Sequence, residues 1–373
     1  MTTPGAPLSA HDLPMPATGD GWPGQATMTV DLGAVRANWR ILAARAPAAE
    51  TGAVVKADAY GLGMGPVART LWAAGCRTFF VAHVREGTAL RALLPAARII
   101  VFHGLAPGTA PLFRQHALIP AINAAEEWAE WDAGGGGPFA LQVDTGLTRL
   151  GLSLEALAAL APGLPEPALV TSHLACGDDP DDARTRLQAD RFRSALALLP
   201  QAPASLLASS VMVQDPALAF ACVRPGIALY GGNPGTAAPN PMRPAVTITA
   251  PILQVRFVDS GETVGYGATY QFRKLGRAAV AGIGYADGVM RAMSNRGWAA
   301  IGGTRVPIAG RVSMDLLTLD VSDVPSAARG AAVEITGPTI PLDEAAASAG
   351  TLAYEFLTRL GPRVRRHYVD DAR

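Results

Sequence analysis

The sequence predicts an α/β protein: an N-terminal (β/α)8 TIM-type barrel followed by a C-terminal β-rich domain. Three observations carry this expectation. From residue 30 to about 240, short β-branched runs alternate with alanine-rich helical stretches, enough for eight strand–helix units. Beyond residue 240 the text changes to strands joined by tight glycine-containing links. The length of 373 residues suits a large barrel with an appendage. An open doubly wound sheet is the alternative.

Residues 1–26 are rich in Pro, Gly, Thr and Ala, show little periodicity, and are expected to form a disordered extension. The barrel is expected over 27–242. Its strands fall at 53–57, 78–83, 99–103, 118–122, 140–144, 169–173, 206–209 and 227–230, short apolar runs of the kind buried parallel strands require. Helical patterns lie between most of them, at Met64–Ala74, 87–94, Leu154–Leu160 and 182–199. Four prolines in 231–244 make a natural linker. The second domain, 243–373, reads as strands at Val246–Val258, 278–283, Trp298–Ile301, 306–320 and 332–335, with one late helix at 351–360. A barrel places its chemistry at the C-terminal ends of its strands, with a phosphate site after strands seven and eight.

Composition narrows the function. The 31 basic and 31 acidic residues cancel, which leaves no electrostatic basis for binding nucleic acid or an anionic membrane. Three scattered cysteines, Cys76, Cys176 and Cys222, form no CxxC pair, so neither a disulfide framework nor a structural zinc site is expected; free thiols suit the cytoplasm. The longest uncharged run, 194–214, is broken by two prolines, so no membrane span is expected. No charged n-region or apolar h-region of a leader precedes Arg36.

Only two of the 31 basic residues are lysines, Lys56 and Lys274. Lys56 stands directly after two valines at the end of the first strand, in VVKADAYGLGMG. An ammonium there is costly to bury unless it is paired or consumed, and condensation with an aldehyde cofactor consumes it. A lysine whose stem packs and whose head reaches solvent is the plain alternative. Tyr60 could offer a hydroxyl to the same place. In CVRPGIALYGG, the backbone N–H groups of Gly226 and Ile227 could cradle an anion, Ser210 could add a hydroxyl, and Arg224 faces the same mouth or pairs with a carboxylate. In QVDTGLTRLG, Arg149 could fork onto a substrate carboxylate, while Asp144 could cap the turn. His173 ends strand six as a structural residue or a cofactor neighbour. In GETVGYGATY, Tyr266 is an exposed phenol that could exchange protons. GYADG and RVSMD are weak signals singly.

Taken together, VVKADAYG, DTGLTRLG, SHLA, VRPGIALYG, GETVGYGATY, GYADG, RVSMD and AYEFLTRLGPRV stand in the order and spacing of the alanine racemase family, which the chain resembles from about Thr27 to Asp370. The resemblance implies a fold-type III pyridoxal 5′-phosphate isomerase, a head-to-tail homodimer with shared active sites. Its expected activity is interconversion of L- and D-alanine for peptidoglycan, with a broader amino-acid racemase as the alternative. Lys56 would hold the cofactor aldehyde and serve the D-isomer; Tyr266 of the second subunit would serve the L-isomer. Arg224 would meet the pyridine nitrogen, with His173 orienting it. Tyr60, Ser210, Gly226 and Ile227 would hold the phosphate. Arg149, Met314 and Tyr285 would face the substrate. The chain departs from the family at Leu62, often His; at Gln142, often a carbamylated lysine bracing Arg149; at Ser209, usually Asn; and at Pro362, where some members place a phosphate-binding tyrosine. Arg149 must then be held by the Gln142 amide or by a bound anion such as chloride.

Overall fold

The computed structural model describes residues 24–179, 181–214, 218–235 and 239–370; all but the last three residues of the expected extension 1–26 lie outside them. The chain begins with strand β1, Thr27–Asp31, and the helix Leu32–Arg45, capped by the Asp31 carboxylate accepting from Ala34 N–H. The barrel strands then follow. They are β2 Glu50–Thr51, β3 Ala53–Val54, β4 Thr78–Val81, β5 Arg98–Val101, β6 Ile119–Ile122, β7 Ala140–Gln142, β8 Leu169–Thr171, β9 Ala204–Ser205 and β10 Cys222–Val223.

Strands β3 to β9 pair in chain order, all in parallel. β2 and β3 are one run broken at Gly52, and β10 pairs with β2. A parallel bridge between Ala208 and Arg224 joins the other side of β10 to the end of β9, so eight staves close. Phe79, Phe80, Ile99, Ile100, Leu141, Leu169 and Val170 are fully buried, as strands covered on both faces must be.

Two barrel expectations need correction. Residues 227–230 form a 3-10 turn, and the eighth strand is the shorter Cys222–Val223. All four turn residues are buried, and a run buried on every side carries no periodicity to separate strand from turn. The seventh strand is Ala204–Ser205, upstream of 206–209, where a new helix starts at Ser209.

The second domain contains β11 Val246–Val258, β12 Thr263–Val264, β13 Tyr270–Gln271, β14 Gly276–Ala281, β15 Trp298–Ile301, β16 Thr304–Pro307, β17 Leu317–Asp320, β18 Ala332–Thr336 and β19 Arg365–Val369. The expected 306–320 strand is two strands, β16 and β17, with the RVSMD loop between them. β11 pairs with β1, β14 and β18 and shifts register twice, which bends it across the domain. β1 pairs antiparallel with β11 and in parallel with β19, so Thr27–Asp31 belongs to the β-domain sheet although it precedes the barrel. The late helix is Ala353–Thr358, set against the turn that follows β3.

Candidate active site

The chain turns abruptly at the end of β3. Lys56 is followed by four non-glycine residues in left-handed geometry, Ala57, Asp58, Ala59 and Tyr60, with φ of 52°, 54°, 54° and 57°. Each costs on the order of 1–2 kcal/mol, so the surroundings must impose the turn. Glu86 does so from one side: Ala57 N–H donates to Oε1 at 2.7 Å, and Ala82 N–H donates to Oε2 at 2.8 Å. Met64 N–H donates to the Asp58 carboxylate at 2.6 Å. The turn aims Lys56 into the barrel mouth and places the Tyr60 ring in the core.

Two adjoining cavities of about 240 and 430 Å³ meet there, sharing Lys56, Phe102, Arg149, His173 and Arg224 along their walls. Lys56 is half-buried, with Nζ 5.9 Å from the Phe102 ring centroid. Burial lowers its pKa, and the Arg149 charge lowers it further, against the opposing pull of Glu86. A larger share of the amine is therefore neutral and nucleophilic than on a free lysine.

Arg224 is buried, and among the described residues no carboxylate pairs with it. Its Nη1 donates to the Ser205 carbonyl at 2.7 Å and to Ser205 Oγ at 2.5 Å; its Nη2 donates to the Ser172 carbonyl at 2.6 Å. Burial lowers its pKa to about 10, so it stays cationic at neutral pH. His173 lines the same cavities as Arg224, and among the described residues no hydrogen bond joins the two. His173 is itself driven down to about 3 by burial and by the charges of Arg224, Arg149 and Lys56, so its ring is neutral.

The wider cavity ends at Tyr60, Ser209, Gly226, Ile227, Tyr354 and Thr358. Gly226 N–H and Ala228 N–H both donate to Ser209 Oγ, at 2.8 and 3.3 Å. A Cβ on Gly226 would stand 2.4 Å from Tyr60 Oη, so any larger residue there would have to displace the phenol. Tyr60 is raised above its ordinary pKa by burial and remains a neutral donor. The hydroxyl beside Gly226 is Ser209; Ser210 is half-buried and does not line the cavity. Tyr354, absent from the sequence reading, has its ring 5.9 Å from that of Tyr60. It brings a phenol from the second domain to this end of the cavity. The signal was present in AYEFLTRL, but only tertiary contact brings residue 354 to Gly226.

Arg149 is exposed at the mouth, and among the described residues nothing accepts a hydrogen bond from it. Its loop is set by Asp144, whose Oδ1 accepts from the N–H groups of Gly146, Leu147 and Thr148. Asp144 is thus the turn cap. Gln142 Oε1 accepts from Thr171 Oγ1 at 2.6 Å, leaving the amide NH2 as its donor end.

Tyr266, Tyr285 and Met314 do not line this cleft. They lie exposed on the second domain, Tyr266 at 71%. Their loops are joined: Arg311 packs against Gly267, Tyr285 N–H donates to the Ser313 carbonyl, and Ala286 N–H to the Met314 carbonyl.

An aldehyde-bearing, anionic, planar cofactor fits the donor set of the cleft. The amine, the acid-free guanidinium and the glycine cradle match its aldehyde, ring nitrogen and phosphate in kind. The family models described as "Alanine racemase, N-terminal domain" and "Alanine racemase, C-terminal domain" match residues 30–234 and 245–368. An alanine racemase of Acidiphilium cryptum is 46% identical over 352 residues, covering 91% of this chain and 98% of its own. The crystal structure of alanine racemase from Bartonella henselae with covalently bound pyridoxal phosphate superposes with a TM-score of 0.89 at 37% identity, covering 93% of this chain and all of that one. The biosynthetic alanine racemase of Pseudomonas aeruginosa superposes at 0.88 and 35%, covering 93% and 99%.

Proposed function

The chain belongs to the alanine racemase family, and on that premise we propose that it interconverts L- and D-alanine with pyridoxal 5′-phosphate held at Lys56, as a homodimer whose two clefts are each completed by the partner. The carrying observation is a half-buried amine of lowered pKa in one cleft with a buried arginine that pairs with no acid and a glycine anion cradle.

When bound, the cofactor supplies an aldehyde for the amine and an electron sink that acidifies the substrate Cα–H. Tyr60, Ser210 and the N–H groups of Gly226 and Ile227 would hold its phosphate, with Tyr354 beside them and Ser209 setting the loop. Arg224 would donate to its ring nitrogen. A guanidinium does not give up its proton, so Arg224 would leave that nitrogen unprotonated and would favour prompt return of each proton over side reactions. Arg149 binds the substrate carboxylate. Lys56 takes or returns the Cα proton on the face serving the D-isomer, and the partner subunit's Tyr266 does so on the opposite face. The partner subunit's Met314 and Tyr285 close the site over the substrate. This division accounts for a tyrosine and a methionine exposed on the second domain, away from the chain's own cleft. Such an enzyme would supply D-alanine for peptidoglycan in the cytoplasm. Among the described residues no helix is long and apolar enough to cross a membrane.

The test incubates the protein and cofactor with a panel of L-amino acids and follows circular dichroism. Loss of signal for L-alanine with no change in total amine is expected. Evolution of carbon dioxide would point instead to a decarboxylase, and a signal that never decays would refute the reading.

A further inference from the structure

The left-handed turn that carries Lys56 and Tyr60 is gripped from outside as well as from Glu86. Arg366, on β19, donates through Nε to the Gly61 carbonyl at 3.1 Å. Its remaining nitrogens donate to the carbonyls of Gly361, Val364 and Leu360 at 2.5, 2.7 and 2.8 Å. Two residues along the same strand, Tyr368 Oη donates to the Leu62 carbonyl at 2.9 Å. A Cβ on Gly63, where φ is +103°, would fall within 2.0 Å of that oxygen, so the tyrosine and the turn meet without space between them. Asp58, inside the turn, interacts electrostatically with both Arg366 and Tyr368. β19 is in turn held in register by β1, with Met28 opposite Arg366 and Val30 opposite Tyr368.

We propose that Arg366 and Tyr368 are positioning residues: they clamp carbonyls 61 and 62 and so hold the turn that sets Lys56 and Tyr60 in cofactor-ready geometry. The barrel alone leaves these carbonyls to the second domain. A turn of four left-handed residues relaxes toward ordinary backbone when its restraints are removed. Relaxation would separate the Lys56 amine from Tyr60, which anchor opposite ends of the cofactor. The inference rests on the cofactor assignment made above.

The experiment titrates pyridoxal phosphate into apo-protein and follows visible absorbance, with melting temperature measured in parallel. Tyr368→Phe removes one hydroxyl and should weaken cofactor affinity about three- to tenfold. Arg366→Gln should weaken it further, with Arg366→Lys recovering part of the loss; if Arg366→Gln does not fold, the lysine and phenylalanine variants carry the test. Val333→Ala is the control, because it opens a cavity in the same sheet on β18, which does not pair with β19. It should lower the melting temperature and leave affinity unchanged. Wild-type affinity in Tyr368→Phe and Arg366→Lys, or equal weakening in Val333→Ala, would overturn the clamp. A wild-type protein that develops no chromophore would overturn the cofactor assignment itself, and the clamp with it.

Discussion

Gly226→Ala tests the anion cradle most directly. The added Cβ would stand 2.4 Å from Tyr60 Oη and 3.1 Å from Cζ. An ordinary carbon–oxygen contact is roughly 3.3 Å, so the overlap approaches about 1 Å at a site packed to crystal-like density. Tyr60 cannot yield easily: its ring lies 4.9 Å from that of Tyr230 and 5.9 Å from that of Tyr354, and Tyr230 Oη is fixed on the Val54 carbonyl at 2.7 Å. Overpacking of this kind costs about 1–3 kcal/mol. If the hydroxyl swings away, the phosphate also loses a charge-assisted hydrogen bond of about 1.5–3 kcal/mol. At about 1.4 kcal/mol per decade, the hydrogen bond alone predicts cofactor affinity weakened about ten- to a hundredfold. The assay is titration of apo-protein with pyridoxal phosphate and, separately, with pyridoxal. The effect should fall mainly on the phosphorylated form. Equal loss for both would show that the damage is not at a phosphate site, and affinity within twofold of wild type would refute the cradle.

Three further outcomes follow from the same geometry. Cofactor loading needs the neutral Lys56 amine, so its rate should rise with pH to a midpoint below the ordinary lysine value of 10.5; Arg149→Gln removes a neighbouring positive charge and should move that midpoint upward in stopped-flow absorbance. Tyr266→Phe should slow exchange of the Cα proton in deuterium oxide far more from L-alanine than from D-alanine, and equal slowing would contradict opposite-face bases. With the Gln142 oxygen taken by Thr171 and Arg149 lacking an acceptor, two donors remain at the mouth, so chloride should raise activity in wild type, and replacing chloride by a bulky anion should remove the gain.

Much of the chemistry was readable in the sequence. Lys56 at a strand end, Arg224 and Gly226 in VRPGIALYG, and Tyr266 between glycines are each legible because strand-end position and residue type are local properties. The barrel order was readable for the same reason, since each strand–helix unit announces itself in about 25 residues. What failed was non-local. β1 looks like the start of the barrel but pairs with β11 and β19, more than 200 residues away. Ile227–Tyr230 is apolar and buried on every side, so its turn geometry left no trace in the pattern.

The sequence by itself determined which groups are available: one amine at a strand end, an arginine that stays cationic, a glycine with its bare backbone N–H, and a spare phenol on another domain. Only the tertiary structure decided which of them meet. It set Ser209 under the Gly226 loop, brought Tyr354 to the cradle, gave Arg224 its serine partners, and set β19 against the lysine turn. The reason is physical. Side-chain chemistry belongs to the residue, whereas contact depends on distances between segments far apart in the chain, which are settled only when the whole core packs.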